Sequence, residues 1–151
     1  MVENTQQKYC YDYPRPAVTV DVVLLRAKEE PALTEVLLIK RKSEPFKDRW
    51  ALPGGFVDKE EALESAAMRE LNEETGLSAE GLEIVAAFSD PGRDPRGHTV
   101  SIVFVGWTDH SANAAAGDDA KEVAWHSVDA LPELAFDHDK IVAAVLAKLK
   151  N

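Results

Sequence analysis

The run G-F-V-D-K-E-E-A-L-E-S-A-A-M-R-E-L-N-E-E-T-G-L, from Gly55 to Leu77, places Glu61, Arg69, Glu70, Glu73 and Glu74 at fixed intervals behind the Gly54-Gly55 pair. Read as a helix, Glu70, Glu73 and Glu74 stand at i, i+3 and i+4, so their side chains converge on one side. Like charges that close either titrate or hold a cation that cancels their repulsion. A hard divalent ion with oxygen ligands, Mg²⁺ with Mn²⁺ as its substitute, answers that need. At about 100° per residue, Leu63, Ala66, Ala67 and Leu71 form an apolar stripe, and Glu70 and Glu74 fall inside it. An unpaired inward charge costs several kcal/mol, roughly, so these acids require a compensating cation.

The flanking residues support the same local structure. Leu52-Pro53-Gly54-Gly55 lets backbone approach a ligand closely because glycine has no Cβ. Asp58, Glu60 and Glu61 are expected where the helix starts, complementing its positive end. Gly76 is expected to cap its C-terminus with positive φ. Arg69, one turn from Glu73, is placed to orient the carboxylates with a planar fork of donors.

These residues resemble the signature of the Nudix hydrolases: a glycine, five residues, a glutamate, seven residues, then R-E-U-x-E-E-x-G-U with U aliphatic. Gly55, Glu61, Arg69, Glu70, Leu71, Glu73, Glu74, Gly76 and Leu77 fill it with no departure. The resemblance extends to Y-P-R-P-A-V-T-V-D-V-V from Tyr13, R-D-P-R-G-H from Arg93 and F-D-H-D-K-I from Phe136, which look like bacterial ADP-ribose pyrophosphatases. Pro91 and Pro95 lie near the distance past the signature at which that family associates a proline with ADP-ribose selectivity. The resemblance implies a Nudix-type α/β/α sandwich with a mixed β-sheet. It also implies Mg²⁺-dependent hydrolysis of a nucleoside diphosphate linked to another group, ADP-ribose giving AMP and ribose 5-phosphate.

Other Nudix substrates (NADH, a sugar nucleotide or an oxidised nucleotide) form the alternative. So does a non-catalytic ADP-ribose sensor, whose usual signs would be eroded signature glutamates or a DNA-binding domain beyond Asn151. By the same resemblance Glu70, Glu73 and Glu74 are metal ligands, joined by the Gly54 carbonyl, and a homodimer is expected. The catalytic base is either a signature glutamate or a later carboxylate; among Asp118, Asp119 and Glu122, the last is favoured because it precedes the apolar Val123. Arg93 and Arg96 offer bidentate donors to phosphate or ribose oxygens, with Asp94 ordering their loop. Arg41, within Lys40-Arg41-Lys42, and His98 complete the substrate-binding candidates. His138 is a weaker one, and Trp50, Phe46, Trp107 and Trp125 are assigned to core packing rather than to base stacking.

The chain's 151 residues, 45% of them hydrophobic, suit one domain, taken as residues 17–151 after an arm at 1–16. A net charge of −10 argues against a general nucleic-acid binder, while a small anionic substrate can still be met by metal ions and local basic groups. The single cysteine, Cys10, allows no internal disulfide. With no membrane-length apolar run and a polar start, a cytoplasmic protein is expected. Strands are expected near 17–25, 36–39, 50–52, 82–88, 99–107 and 123–126. The second helix is expected at 136–149, a turn at 28–31 and a small-residue loop at 113–119.

Overall fold

The computed structural model describes residues 8–27, 34–109, 111–117 and 120–151. The expected turn at 28–31 lies outside them, as do Asp118, Asp119 and residues 1–7 of the arm. Residues 8–16 form no helix or strand and are exposed.

Strand β1 (Ala17–Ala27) is buried from Thr19 through Leu25 and organises the rest. A strand covered on both faces loses the in–out alternation of a half-exposed one, which is why V-T-V-D-V-V-L-L carries so few polar residues. Its side chains divide by parity. Val20, Val22 and Leu24 pack with Ala66, Ala67 and Leu71 of helix α1 (Leu63–Thr75), whereas Val23 and Leu25 pack with Ile141, Val142 and Val145 of helix α2 (His138–Leu149). Strand β2 (Thr34–Arg41) repeats the division, with Leu37 toward α1 and Val36 and Leu38 toward α2. One helix on each face of the sheet makes the α/β/α sandwich. Each large aliphatic side chain fully removed from water contributes about 1.5–3 kcal/mol.

The sheet is mixed. Strand β6 (Thr99–Trp107) runs parallel to β1 from Ala17↔Thr99 to Leu25↔Trp107, and β5 (Glu83–Phe88) closes that side antiparallel to β6. On its other edge β1 changes partner. It pairs β2 at Leu25–Ala27 but the short β4 (Gly54–Phe56) at Thr19–Asp21. Strand β2 pairs both β3 (Trp50–Ala51) and β7 (Ala120–Ser127). A cleft opens where β2 and β4 part, so residues from both strands line it.

Helix α1 ends as expected at Gly76, whose φ is 72° and whose N–H donates to the Asn72 carbonyl at 2.9 Å. Its start differs. The helix begins at Leu63 with no side-chain cap, and only Glu64 is acidic in its first turn. Asp58, Glu60 and Glu61 precede it because Glu61 folds back to accept the Asp58 N–H and to bind Arg69. Helix α2 begins at His138 rather than at 136, after Phe136 in a positive-φ conformation.

Candidate active site

The cleft encloses about 410 Å³ and has two walls of opposite charge. Helix α1 and β4 supply the acidic wall. Glu70 and Glu74 are 9% and 7% exposed, as their phase on the apolar stripe requires. Glycine at 54 and 55 makes this possible. The Gly54 N–H donates to Glu74 Oε2 at 3.0 Å, and a Cβ on residue 55 would lie 2.5 Å from Glu70 Oε1, in the space the carboxylate fills.

Arg69 ties the acids together from outside the cleft. Its Nε and Nη2 donate to the two oxygens of Glu61 at 2.7 and 2.9 Å, and Nη1 reaches Glu70 at 2.9 Å and Glu73 at 3.2 Å. A fifth bond, from Nη2 to the Phe56 carbonyl at 3.1 Å, fastens α1 to the end of β4. These bonds hold Arg69 above its ordinary value, Glu61 contributing most. Arg69, followed by the Asp58 N–H, holds the Glu61 carboxyl at about 2. A depressed carboxyl stabilises the fold fully above its unfolded value of about 4.3, and that contribution disappears as pH falls toward 2. Urea midpoints followed from pH 5 to 2 should therefore fall less steeply in Glu61→Gln than in the parent. A Glu61 carboxyl that titrates in the ordinary range by carbon NMR would refute the fork.

The basic wall comes from two places, the end of β2 and the loop between β5 and β6. Arg41 at the end of β2 donates to the Pro45 carbonyl at 2.7 Å. Burial, then Arg96, lowers it from its ordinary value, while Glu74, Asp94 and Asp21 act the other way. Arg93 forms a two-point bond with Asp137 at 2.9 and 2.6 Å, and Arg96 another with Asp94 at 3.1 and 2.9 Å. Burial alone would raise Asp94, but the Arg96 side chain and backbone N–H bring its carboxyl below the usual range. Arg96 lies 4.7 Å from the ring centre of Phe56 and 5.5 Å from that of Phe136, and Arg41 lies 5.0 Å from Phe136. Both phenylalanines line the cleft. Neither is among the aromatic residues weighed for base stacking in the sequence.

The floor is formed by Asp21 and His138, both buried. Burial pushes His138 below the ordinary histidine range, an effect the Asp21 charge only partly offsets.

The cleft thus brings together Gly54, Glu70, Glu74, Arg41, Arg93, Asp94 and Arg96 of the sequence candidates, and with them the weaker candidate His138. Four others stand outside its lining. Arg69 acts from behind. The Glu73 side chain is 49% exposed, against 12% for Glu70, and turns to Arg69. His98 is exposed at the Ser89 carbonyl. Glu122 sits on β7, cross-strand from Lys40, with its side chain 52% exposed and 3.3 Å from the Lys40 ammonium. Precedence to Val123 gives its local alternation but not which end of the sheet it occupies. Of the tryptophans, Trp50 and Trp125 pack against the core as expected, whereas Trp107 is 52% exposed.

Among the described residues no three acidic, histidine or cysteine side chains converge as a ready-made metal centre. Arg69 engages Glu70 and Glu73, and the Gly54 N–H engages Glu74, so the expected three-glutamate set is not assembled here. The donor chemistry still fits a hard divalent ion: two buried carboxylates meet on a glycine cradle that any Cβ would fill.

The NUDIX domain model matches residues 15–145, and the chain belongs to the Nudix family. Hydrolases of this family generally use divalent metal ions. The chain is 46% identical over 130 residues to the ADP-ribose pyrophosphatase of Methanocaldococcus jannaschii, covering 86% of this chain and 73% of that protein. It is 36% identical over 144 residues to the ADPR responsive transcriptional repressor NtrR of Acinetobacter baylyi, covering 93% of this chain but 57% of the repressor. Its fold superposes on the NUDIX domain of Shewanella oneidensis NrtR, cocrystallised with ADP ribose, with a TM-score of 0.82 at 29% identity. That match covers 91% of this chain and 90% of the other.

Proposed function

We propose that the chain is a Mg²⁺-dependent pyrophosphohydrolase that cleaves ADP-ribose to AMP and ribose 5-phosphate, one water being consumed as the P–O–P bridge breaks. The carrying observation is the pairing of a buried carboxylate wall with a guanidinium wall across one cleft. A diphosphate needs cations on both sides. Arg41, Arg93 and Arg96 supply fixed charge and fork-shaped donors on one. Glu70 and Glu74, with the Gly54 carbonyl, would hold the divalent ion on the other, where it supplies positive charge against the phosphoryl oxygens. Phe56 and Phe136 offer faces to a planar base. Glu73 and Arg69 orient the acids, and Asp94 orders Arg96.

Glu70 and Glu74 reach the cleft and Glu122 does not, so we place the proton acceptor for water on α1. Substrate names come from the relatives: one similar protein is an ADP-ribose pyrophosphatase, and a structural neighbour carries ADP ribose. We further take residues 17–151 as one catalytic domain behind an N-terminal arm, acting as a cytoplasmic homodimer. No helix among the described residues is long and apolar enough to cross a membrane.

A substrate panel tests this. Purified protein with Mg²⁺ is expected to release AMP from ADP-ribose faster than from NADH, sugar nucleotides or oxidised nucleotides, and chelation is expected to abolish release. Faster turnover of another panel member would reassign the substrate. Tight ADP-ribose binding without product would favour the sensor, a reading that the repressor relative keeps in view.

A further inference from the structure

His138 stands at the first turn of α2 with one ring nitrogen hydrogen-bonded and the other facing a carboxylate. The Leu52 N–H donates to Nδ1 at 3.0 Å. A ring nitrogen that accepts carries no proton, so the proton of the neutral ring sits on Nε2. Nε2 faces Asp21 Oδ1 at 3.4 Å, and the second Asp21 oxygen accepts the Ser101 hydroxyl. Asp21, Ser101 and His138 are all buried, on the face of the sheet that α2 covers. These groups surround the glycine segment. Leu52 opens it; the Pro53 carbonyl next accepts the Val22 N–H at 2.8 Å, and the Gly54 N–H then donates to Glu74 at 3.0 Å. Asp21 is the cross-strand partner of Gly54, its Oδ1 only 2.7 Å from where a Cβ on that residue would stand.

We propose that His138 is the positioning residue of the glycine segment: Nδ1 pins the Leu52 amide, Nε2–H keeps Asp21 turned, and α2 thereby sets where Gly54 stands against Glu74. His138 lines the cleft floor, yet with Nδ1 occupied by Leu52 and Nε2 aimed at Asp21 it acts through the segment rather than on the substrate. Its effect on turnover rests on the hydrolase reading; the geometry does not.

The test uses the full chain and three substitutions. His138→Asn retains an oxygen near the Nδ1 position for the Leu52 N–H. His138→Gln carries its amide toward the Nε2 position, and His138→Phe keeps only the ring shape. In the parent, the nitrogen NMR spectrum of His138 is expected to show Nδ1 unprotonated and Nε2 protonated at neutral pH. Hydrogen exchange at Leu52 and Gly54 should quicken by ~10-fold or more in the Phe variant and stay near the parent rate in Asn, with Val23 and Phe104 unchanged as the check on the core. On ADP-ribose, kcat should fall by ~10-fold or more in Phe and recover in Asn, at a KM within about threefold of the parent. Should the Phe variant not fold, Gln replaces it with the same expected loosening at Leu52.

A protonated Nδ1 in the parent, parent-like exchange at Leu52 in the Phe or Gln variant, or a loss confined to KM would each overturn the proposal. Absence of AMP release by the parent would instead remove the hydrolase reading, and the spectrum and the exchange rates would still decide the role of His138.

Discussion

Glu74→Gln is expected to lower kcat on ADP-ribose by at least ~100-fold, about 2.7 kcal/mol of barrier, and Glu70→Gln to do the same. The substitution separates charge from shape. A glutamine oxygen at position 74 still accepts the Gly54 N–H, so the 3.0 Å bond that fixes β4 against α1 survives. Glutamine at 70 likewise fills the space beside Gly55 that the carboxylate occupies. What disappears is a buried negative charge on the acidic wall. A glutamine oxygen at position 70 can still accept from Arg69 Nη1, as the carboxylate does at 2.9 Å, so each variant is expected to stay folded and to melt within a few degrees of the parent. Single-turnover rates together with melting curves check both halves. Parent-like turnover in both variants would remove the acidic wall from the site, and a large loss of stability would show that the carboxylates serve the fold.

Gly54→Ala carries the second large effect, this time on stability. A Cβ there would lie 2.1 Å from the Val20 carbonyl oxygen and 2.7 Å from Asp21 Oδ1. Val20 cannot yield easily, since β1 is held by β4 on one side and by β6 along its length on the other. Overpacking of backbone against backbone is expected to cost about 3 kcal/mol, read as a lowered urea midpoint at unchanged slope, with activity lost in the fraction that stays folded. Gly92→Ala is the internal control. Gly92 has φ of 84° but nothing within 4 Å of an added Cβ, so only the backbone conformation is penalised, at about 1 kcal/mol. Equal stability of the Gly54 variant and the parent would show that β4 does not make the close approach on which the acidic wall is built.

The acidic wall was legible because helical period converts spacing directly into direction: Glu70 and Glu74 share the phase of Leu63 and Ala67, and both are buried. Basic residues were legible as clusters, and Arg41, Arg93 and Arg96 do meet in the cleft. The floor was not. Asp21 lies in a strand covered on both faces, where alternation gives no sign of which polar residue faces which helix. Its partners Ser101 and His138 are 80 and 117 positions away in sequence, brought near only by the parallel β1–β6 pairing and by the packing of α2. Strand β4 escaped notice because a three-residue strand with two glycines carries no strand propensity of its own. Phe136 was taken as the opening of the second helix. Its positive φ of 53° instead turns the chain just before α2 and leaves the ring on the cleft, where backbone strain at ligand clamps is common. A turn built by tertiary contacts has no signature in the F-D-H-D run alone.

The central claim is that the inward acids of α1 and the glycine segment together hold a divalent ion against a diphosphate. It is tested most directly by crystals soaked with Mn²⁺ and a non-hydrolysable ADP-ribose analogue, read by anomalous scattering. The expected result is a peak between the Glu70 and Glu74 carboxylates and the analogue's bridging phosphates, with Arg41 and Arg96 on the opposite side. An analogue seated in the cleft with manganese absent from those carboxylates, or bound elsewhere on the chain, would contradict it.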